Sequence, residues 1–374
     1  VPDTKTIVVI GGTGHFGRRI CRRLIGEPNS RLVVTSRSED KAQKLVSALQ
    51  AGTANYQIEA AALDQTSADF ETNLRALNPD VVIHTAGPYQ GQDYRVARAC
   101  IHCGAHYIDL ADGREFVAGF KQLHDEAQKR GVLLVSGAST LPGLSSAVID
   151  AMSSTFDVVS CIEISIAPAH QTPRGSGTIA AVMSYCGKPF KVLEQGRWTT
   201  RYGWQDLRIQ HYPALGKRLS AACDVPDLSL LPLYVNGCET VTFHAALEAW
   251  WEQLALWIMA WFARAGVIRN WDKHAPSFHR LSQRLEKFGS EKGGMHIRLT
   301  GRDLNNKPKE SAWYLTAYNN HGPEIPPSPA LVLARKLVRG QLSIRGAVPC
   351  LGLMSLAEFA DEVSGFEISW AFQN

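Results

Sequence analysis

The stretch Ile7–Leu24, IVVIGGTGHFGRRICRRL, decides how the first half of the chain is read. An apolar run, Ile7 to Ile10, leads into a glycine cluster, and then Phe16, Ile20 and Leu24 recur every four residues until Gly26. The first run reads as a buried strand and the last as an amphipathic helix with a glycine stop. A glycine-rich turn from a strand into a helix points free backbone N–H groups outward, an arrangement that holds an anion. Gly12, Gly14 and Gly17 satisfy G-x-G-x-x-G, while Gly11, Gly14 and Gly17 satisfy a related spacing of three. In the first pattern Gly12 makes the tight turn, Gly14 lets the backbone approach a pyrophosphate, and Gly17 lets the helix pack close to the sheet. The candidate cradle is Gly12, Thr13, Gly14, His15, Phe16 and Gly17.

Outward from this stretch, strand-like and helix-like runs alternate to about residue 137. Strands are expected at Thr6 to Ile10, Arg31 to Thr35, Gln57 to Leu63, Val81 to Thr85, His106 to Leu110 and Val132 to Ser136. Ala42, Leu45, Val46 and Leu49 form a helical stripe after Ser38, a candidate N-cap, and Val96, Cys100 and Cys103 form another ending at Gly104. This pattern predicts an α/β fold whose N-terminal domain, residues 1–140, is a Rossmann doubly wound parallel sheet.

Nucleotide choice is decided about 20 residues beyond the glycines, where an acidic side chain would bond a ribose 2′-hydroxyl. The chain has Ser36, Arg37 and Ser38 there, with Lys41 one turn further on. A guanidinium and two hydroxyls suit a 2′-phosphate, so NADP(H) is the expected cofactor. Glu39 and Asp40 fall in the first turn of the next helix, where acids favour the positive dipole end. Asp64 ends the third strand, as an adenine contact or a turn residue. Ala86, Gly87 and Pro88, in HTAGPYQG, leave room for a nicotinamide ribose after the fourth strand.

Composition excludes several classes. The 374 residues carry a net charge of +4, with 45% hydrophobic and 20% charged residues and no long Lys/Arg block, so nucleic acid is not an expected partner. Eight scattered cysteines and no secretory segment after Val1 fit a reducing, cytoplasmic setting. Cys100, Cys103 and His106 have metal-like spacing, but the cysteines sit on an apolar helix stripe and His106 begins a strand, so no metal is expected.

The segments IGGTGHFGRRI, VTSR, DVVIHTAGPYQG, CGAHYIDLADG and VSGASTLPGLSSAV occur in that order, followed by GPEIPPSPALVLARKLVRG and GAVPCLGLMSLAEFADE. On these segments the chain resembles the saccharopine dehydrogenase-like family of NADP-dependent oxidoreductases, closest to its poorly characterised bacterial branch. The resemblance implies a Rossmann domain, a second α/β domain that closes over the nicotinamide, and hydride transfer at a C–N bond. Saccharopine reductases carry an acidic residue before the Pro-Gly pair, where this chain has Leu141 before Pro142 and Gly143. A glutamate-derived amino acid is therefore not the expected substrate.

Hydride transfer needs a group that manages the proton. Tyr89, after the fourth strand, and Asp109 and Asp112, after the fifth, are the catalytic candidates; Asp109 as a helix cap and Asp112-Gly113 as a turn are the competing structural readings. Ser139 and Thr140 at the next strand end, and His170 and Arg174 in APAHQTPRGSG, are candidate substrate contacts. No tyrosine has lysine four residues later, which argues against short-chain dehydrogenase chemistry.

Residues 141–374 are expected to form a substrate and dimerisation domain of α+β type, with mostly antiparallel strands at Val158 to Ile166, Glu239 to His244, Met295 to Thr300 and Ser311 to Tyr318. The C-terminal tail is a candidate to pack back on the first domain. Leu247–Ile268, LEAWWEQLALWIMAWFARAGVI, holds four of the nine tryptophans; only Gln253 to Ala263 is free of charge, too short to span a bilayer. A buried or dimer-interface helix is expected there, with a membrane-peripheral role or a hydrophobic substrate as the alternative. The chain is thus read as a homodimeric NADP(H)-dependent oxidoreductase for a small amine, imine or carbonyl compound. A non-catalytic NADP-binding sensor and a membrane-peripheral lipid-handling protein are the competing functions.

Overall fold

The computed structural model describes every residue except 1–3, 52–55, 173–175, 269–270, 275–276, 279, 281–283, 286–288 and 374. The first run of elements is β1 (Lys5–Ile10), α1 (Gly17–Leu24), β2 (Ser30–Ser36), α2 (Glu39–Gln50), β3 (Ile58–Ala62) and α3 (Phe70–Ala76). It continues with β4 (Val81–His84), α4 (Arg95–Cys103), β5 (His106–Asp109), α5 (Arg114–Gly119), α6 (His124–Arg130) and β6 (Leu133–Ser136). Next come α7 (Ser145–Ser153), β7 (Val158–Ala167), α8 (Ser176–Ser184), β8 (Pro189–Glu194), β9 (Arg197–Tyr202), β10 (Gln205–Tyr212) and β11 (Gly216–Ala222). The chain then forms α9 (Asp227–Tyr234), β12 (Thr240–Ala246), α10 (Trp250–Arg264), β13 (Gly293–Arg302) and β14 (Pro308–Ala317). It ends with α11 (Ser328–Val338), β15 (Gly346–Pro349), α12 (Leu356–Glu362) and β16 (Ile368–Gln373).

These elements form two units, one of Val1–Leu144 with Pro326–Met354 and one of Ser145–Ile325 with Ser355–Asn374. The first differs from a simple cut at residue 140, because the chain returns to it with α11 and β15.

In the first unit a seven-stranded sheet runs in the order β15-β6-β5-β4-β1-β2-β3, with every pairing parallel. Both faces of such a sheet are covered, so its strands are continuous apolar runs rather than alternating ones. Ile7, Val8 and Val9 are fully buried and Ile10 nearly so, each contributing about 1.5–3 kcal/mol by leaving water. The stripes on α1 and α2 pack into the same core through Ile20, Leu24, Ala42 and Val46, and α11 adds Leu331, Leu333 and Leu337. The chain steps from β1 to β2 and β3 on one side and to β4 on the other. The switch point therefore lies between the carboxyl ends of β1 and β4, the place where open parallel sheets bind ligands. Ser38 stands at the start of α2 as expected, but its side chain makes no cap hydrogen bond.

The second unit holds a nine-stranded sheet in the order β10-β11-β12-β7-β13-β14-β16, with β8 joined to β12 and β9 to β8. Only the β12–β7 pairing is parallel, so the mostly antiparallel sheet is present and larger than the four strands expected from sequence.

Of the tryptophan-rich segment, α10 buries Gln253, Leu256 and Ala260, while Trp250, Trp251, Ile258, Trp261 and Phe262 are exposed. The expected burial therefore holds along one side only. Among the described residues no helix is long and apolar enough to cross a membrane.

Candidate dinucleotide site

The glycine turn follows β1 directly. Its left-handed residue is Gly11, with φ of +75°, so the tight turn belongs to Gly11 and not to Gly12. Gly12 instead packs inward: its N–H donates to the Thr35 carbonyl at 2.9 Å, and a Cβ there would come within 2.8 Å of Val34. Gly17 opens α1 against the turn, where a Cβ would lie 2.2 Å from the Gly11 carbonyl oxygen. Gly14 is different, because it is exposed and a Cβ there would meet only the Gly11 carbonyl, at 3.0 Å. The backbone can thus be approached closely at Gly14, on the outside of the turn.

The N–H groups of Thr13, His15 and Phe16 make no hydrogen bond among the described residues, and they precede the first turn of α1. Unpaired donors at a helix start, together with the positive dipole end, form an anion site. His15 adds no charge: burial, with Arg19 and Arg18 nearby, pushes its ring down to about 4. The cation at this rim is Arg18, which the sequence reading missed. Its guanidinium donates to the carbonyls of Gly14 and Thr13 at 3.2 and 3.4 Å. Its place directly after Gly17, one step into the helix, was the signal available.

At the end of β2, Ser36 is buried and its hydroxyl accepts a long bond from the Ser38 N–H at 3.4 Å. Arg37 is exposed and makes no hydrogen bond or ion pair among the described residues, which leaves its fork available to a ligand. Asp64, at the end of β3, closes a turn on itself: its Oδ1 accepts from the N–H and hydroxyl of Thr66 at 2.9 and 2.8 Å. Those bonds, with a smaller contribution from Arg37, hold its carboxyl below the usual range. Asp64 is accordingly a turn residue here, the structural alternative weighed for it.

At the end of β4, Gly87 and Pro88 are exposed and Ala86 half-buried, and the Gly87-Pro88 bond is cis. Gln92 Nε2 ties this loop by donating to the carbonyls of Ala86 and Pro88 at 3.1 and 2.6 Å. Tyr89 does not face outward as expected. It is buried, and its hydroxyl donates to the His84 carbonyl at 2.7 Å with the ring against His84 and Phe116. Burial raises this phenol well above its ordinary value, so it is a wedge under the loop rather than a proton donor. His84 itself bridges Gln65 Oε1 at 2.6 Å and the Tyr107 hydroxyl at 3.0 Å, and burial pushes its ring down to about 4.

The two aspartates after β5 separate cleanly. Asp109 is fully buried; its Oδ1 accepts from the N–H groups of Ala111 and Gly137 and the Ser136 hydroxyl at 2.8–3.0 Å. It thereby clamps the carboxyl ends of β5 and β6 together, which replaces the helix-cap reading. Its Oδ2 has no hydrogen-bond partner among the described residues, and burial pushes the carboxyl up to about 6 against the pull of those bonds. Asp112 is exposed and accepts from Gln90 Nε2 at 3.2 Å. Enough protein surrounds it that desolvation still raises its carboxyl.

Ser139 and Thr140, at the end of β6, are half-buried with no side-chain hydrogen bond among the described residues. His170 belongs to the second unit and is not a loop contact: it is 3% exposed, donates its backbone N–H to Glu248, pairs its Nε2 with the Leu285 carbonyl and lies 3.6 Å from Glu252. Arg174 lies outside the described residues. Cys100 and Cys103 remain on α4, His106 accepts the Leu133 N–H, and no group of three potential ligands is placed to hold a metal among the described residues.

A doubly wound parallel sheet with an anion cradle at its switch point defines a dinucleotide-binding domain. Residues 7–135 match the family model described as saccharopine dehydrogenase NADP binding domain, and the first unit is an NADP-binding domain of that kind. Across both units the chain has the fold of saccharopine dehydrogenase (L-Glu forming) from Saccharomyces cerevisiae, with a TM-score of 0.67, 13% identity, and coverage of 99% of this chain and 100% of that one. Homospermidine synthase from Legionella pneumophila, solved with NAD, is similar at a TM-score of 0.60 and 12% identity, covering 100% and 92%. A lipid droplet localized protein of Caenorhabditis elegans is 27% identical over 135 residues, 35% of this chain and 32% of that one, so the match spans about a third of that relative's length.

Proposed function

We propose that the protein is an NADP(H)-dependent oxidoreductase that moves a hydride between its cofactor and a small amine, imine or carbonyl compound. The observation that carries the reading is the cradle itself: Gly14 is open to a ligand, and among the described residues the N–H groups of Thr13, His15 and Phe16 make no hydrogen bond and Arg37, after β2, makes no hydrogen bond or ion pair. NADP(H), when bound, supplies or accepts the hydride at nicotinamide C4. The N–H groups and Arg18 would hold the pyrophosphate, Arg37 with Ser38 and Lys41 would hold the 2′-phosphate, and Gly87 and Pro88 would border the nicotinamide ribose. Asp112 carries the substrate proton on its carboxylate, with Gln90 fixing the carboxylate's orientation. Asp109 is a positioning residue that sets the β5 and β6 ends. The C–N bond as the site of reaction rests on the resemblance to saccharopine dehydrogenases.

Fluorescence titration with NADPH and NADH tests the cofactor site. Arg37→Asp is expected to weaken NADPH at least about tenfold and to leave NADH nearly unchanged, since a charge-assisted bidentate contact is lost and only the 2′-phosphate uses it. Equal effects on both nucleotides would remove the 2′-phosphate assignment. A screen of amines, imines and carbonyl compounds that follows NADPH oxidation tests turnover; tight NADPH binding with no turnover of any class would favour the sensor.

A further inference from the structure

Surface helices put their apolar stripe inward and their polar residues outward, whereas α10, with Leu256 and Ala260 buried, turns a second apolar stripe outward. At 3.6 residues per turn, Trp250, Trp261, Leu254, Ile258, Trp251 and Phe262 fall in that order across an arc of about 120°. All but the half-buried Leu254 are exposed, Trp250 by 64%. The polar residue of the helix is on the other side: Gln253 is fully buried and accepts the Leu247 N–H. Glu252 is turned to His170 and only 13% exposed. Across the outward arc, aromatic rings stand at both edges and aliphatic side chains in the middle.

A cation borders this arc: the Arg264 guanidinium lies over the rings of Tyr202 and Trp261, 3.8 and 4.6 Å from their centroids. Gly187 backs onto the buried side of the helix, where a Cβ would lie 2.5 Å from the Ala260 carbonyl, so the rest of the chain packs behind α10 and leaves the arc uncovered.

We propose that the outward arc of α10 is a docking surface for an anionic phospholipid bilayer, entered to the depth of the tryptophan rings and held at its edge by Arg264. Indoles favour the membrane–water interface because the ring is apolar and its N–H still meets headgroup oxygens. The indole N–H groups of Trp250, Trp251 and Trp261 have no hydrogen-bond partner among the described residues. This observation separates a bilayer from a second copy of the chain. A twofold contact would set the patch against itself, and the arc contains donors without an acceptor, so pairing would bury unsatisfied N–H groups. Phosphate and ester oxygens satisfy them, and the bordering Arg264 complements the lipid charge.

The test is flotation of the full chain with vesicles of phosphatidylcholine alone and of phosphatidylcholine with phosphatidylglycerol. Wild type should float with the anionic vesicles, with tryptophan emission moving to the blue and quenched by brominated acyl chains. Ile258→Glu should reduce the bound fraction at least tenfold with thermal unfolding unchanged; if that variant unfolds, Trp250→Ser with Trp251→Ser replaces it. Arg264→Gln should abolish the preference for phosphatidylglycerol. Absence of flotation by wild type, flotation indifferent to the arc variants, or a sedimenting dimer that Ile258→Glu splits without any vesicle binding each overturns the proposal.

Discussion

Asp109 and Asp112 sit on one short connection after β5, yet their surroundings give them different work. Asp109 has one oxygen saturated by three donors and no exposure, which suits holding two strand ends in register. Asp112 has a single amide partner and an exposed side chain, which suits exchange of a proton with a ligand. Asp112→Asn is expected to lower turnover by about 10²-fold or more, the usual yield of a positioned acid or base, while NADPH affinity stays within about twofold. The pH profile gives a second check. Desolvation raises the Asp112 carboxyl, so in the direction of substrate oxidation the rate should fall as pH drops through a value higher than an aspartate's ordinary one. In reduction it should fall as pH rises through the same value, and Asp112→Asn should erase that limb. An unchanged profile in the variant would take Asp112 out of the reaction.

Elements show why particular residue types are required. The two outer glycines of the turn can be told apart by what a methyl group would meet. At Gly17 it would press into the Gly11 carbonyl at 2.2 Å and the Thr85 hydroxyl at 2.8 Å, so Gly17→Ala should cost about 2 kcal/mol or more by overpacking. At Gly14 the methyl would point to open space apart from one contact at 3.0 Å, so Gly14→Ala should change stability by less than about 1 kcal/mol and still weaken NADPH at least about tenfold. Thermal unfolding paired with NADPH titration reads both, and a Gly14→Ala protein that binds NADPH normally would move the pyrophosphate elsewhere. In the second unit, α7 and α9 begin on a buried pair in which the Ser145 hydroxyl donates to Asp227 Oδ1. Asp227 Oδ2 has no hydrogen-bond partner among the described residues, and burial pushes this carboxyl up to about 7. Unfolded, the group ionises near 3.9, so its ionisation progressively penalises the folded state as pH rises from about 4 to about 7 and no further above that. Asp227→Asn keeps the acceptor for Ser145 and removes the charge. Its gain over wild type should therefore grow by on the order of 2 kcal/mol between pH 5 and 8, measured by denaturant unfolding at the two pH values. A gain that is flat with pH would mean that Asp227 is ionised in neither state or equally in both.

What the amino-acid order made legible follows the range of the forces involved. Gly11 and Gly17 are readable because a left-handed turn and methyl clearance are local demands that only glycine meets. The first six parallel strands are readable because burial on both faces writes continuous apolar runs. Tyr89 and His170 were misread because nothing next to them in the chain announces the His84 carbonyl, Glu248 or Leu285 that encloses them. β9 and β10 escaped because largely polar strands such as Arg197–Tyr202 lack the contrast that alternation needs.

The seventh parallel strand is the extreme case at the scale of the whole molecule, since GAVP in β15 is four residues long and its pairing partner β6 begins at Leu133. Together with α11 it returns to a core begun far earlier in the chain. Leu331, Leu333 and Leu337 share a cluster with Ile7, Ile83, Ile108 and Val135, and Cys350 joins them. Three buried leucines contribute on the order of 5–9 kcal/mol, comparable with the 5–15 kcal/mol that holds a typical domain folded. Residues 1–144 expressed alone should consequently lack a cooperative unfolding transition and bind NADPH poorly. The break is also easily bridged: a Cβ on Gly143 would lie 2.9 Å from Pro329, so the two segments of the first unit pass side by side. A single chain joining residues 1–144 through a short Gly/Ser linker to 326–354 should unfold cooperatively and recover NADPH binding. If residues 1–144 alone unfold cooperatively and bind NADPH as tightly as the joined chain, α11 and β15 are an attachment to the nucleotide domain and not part of what folds it.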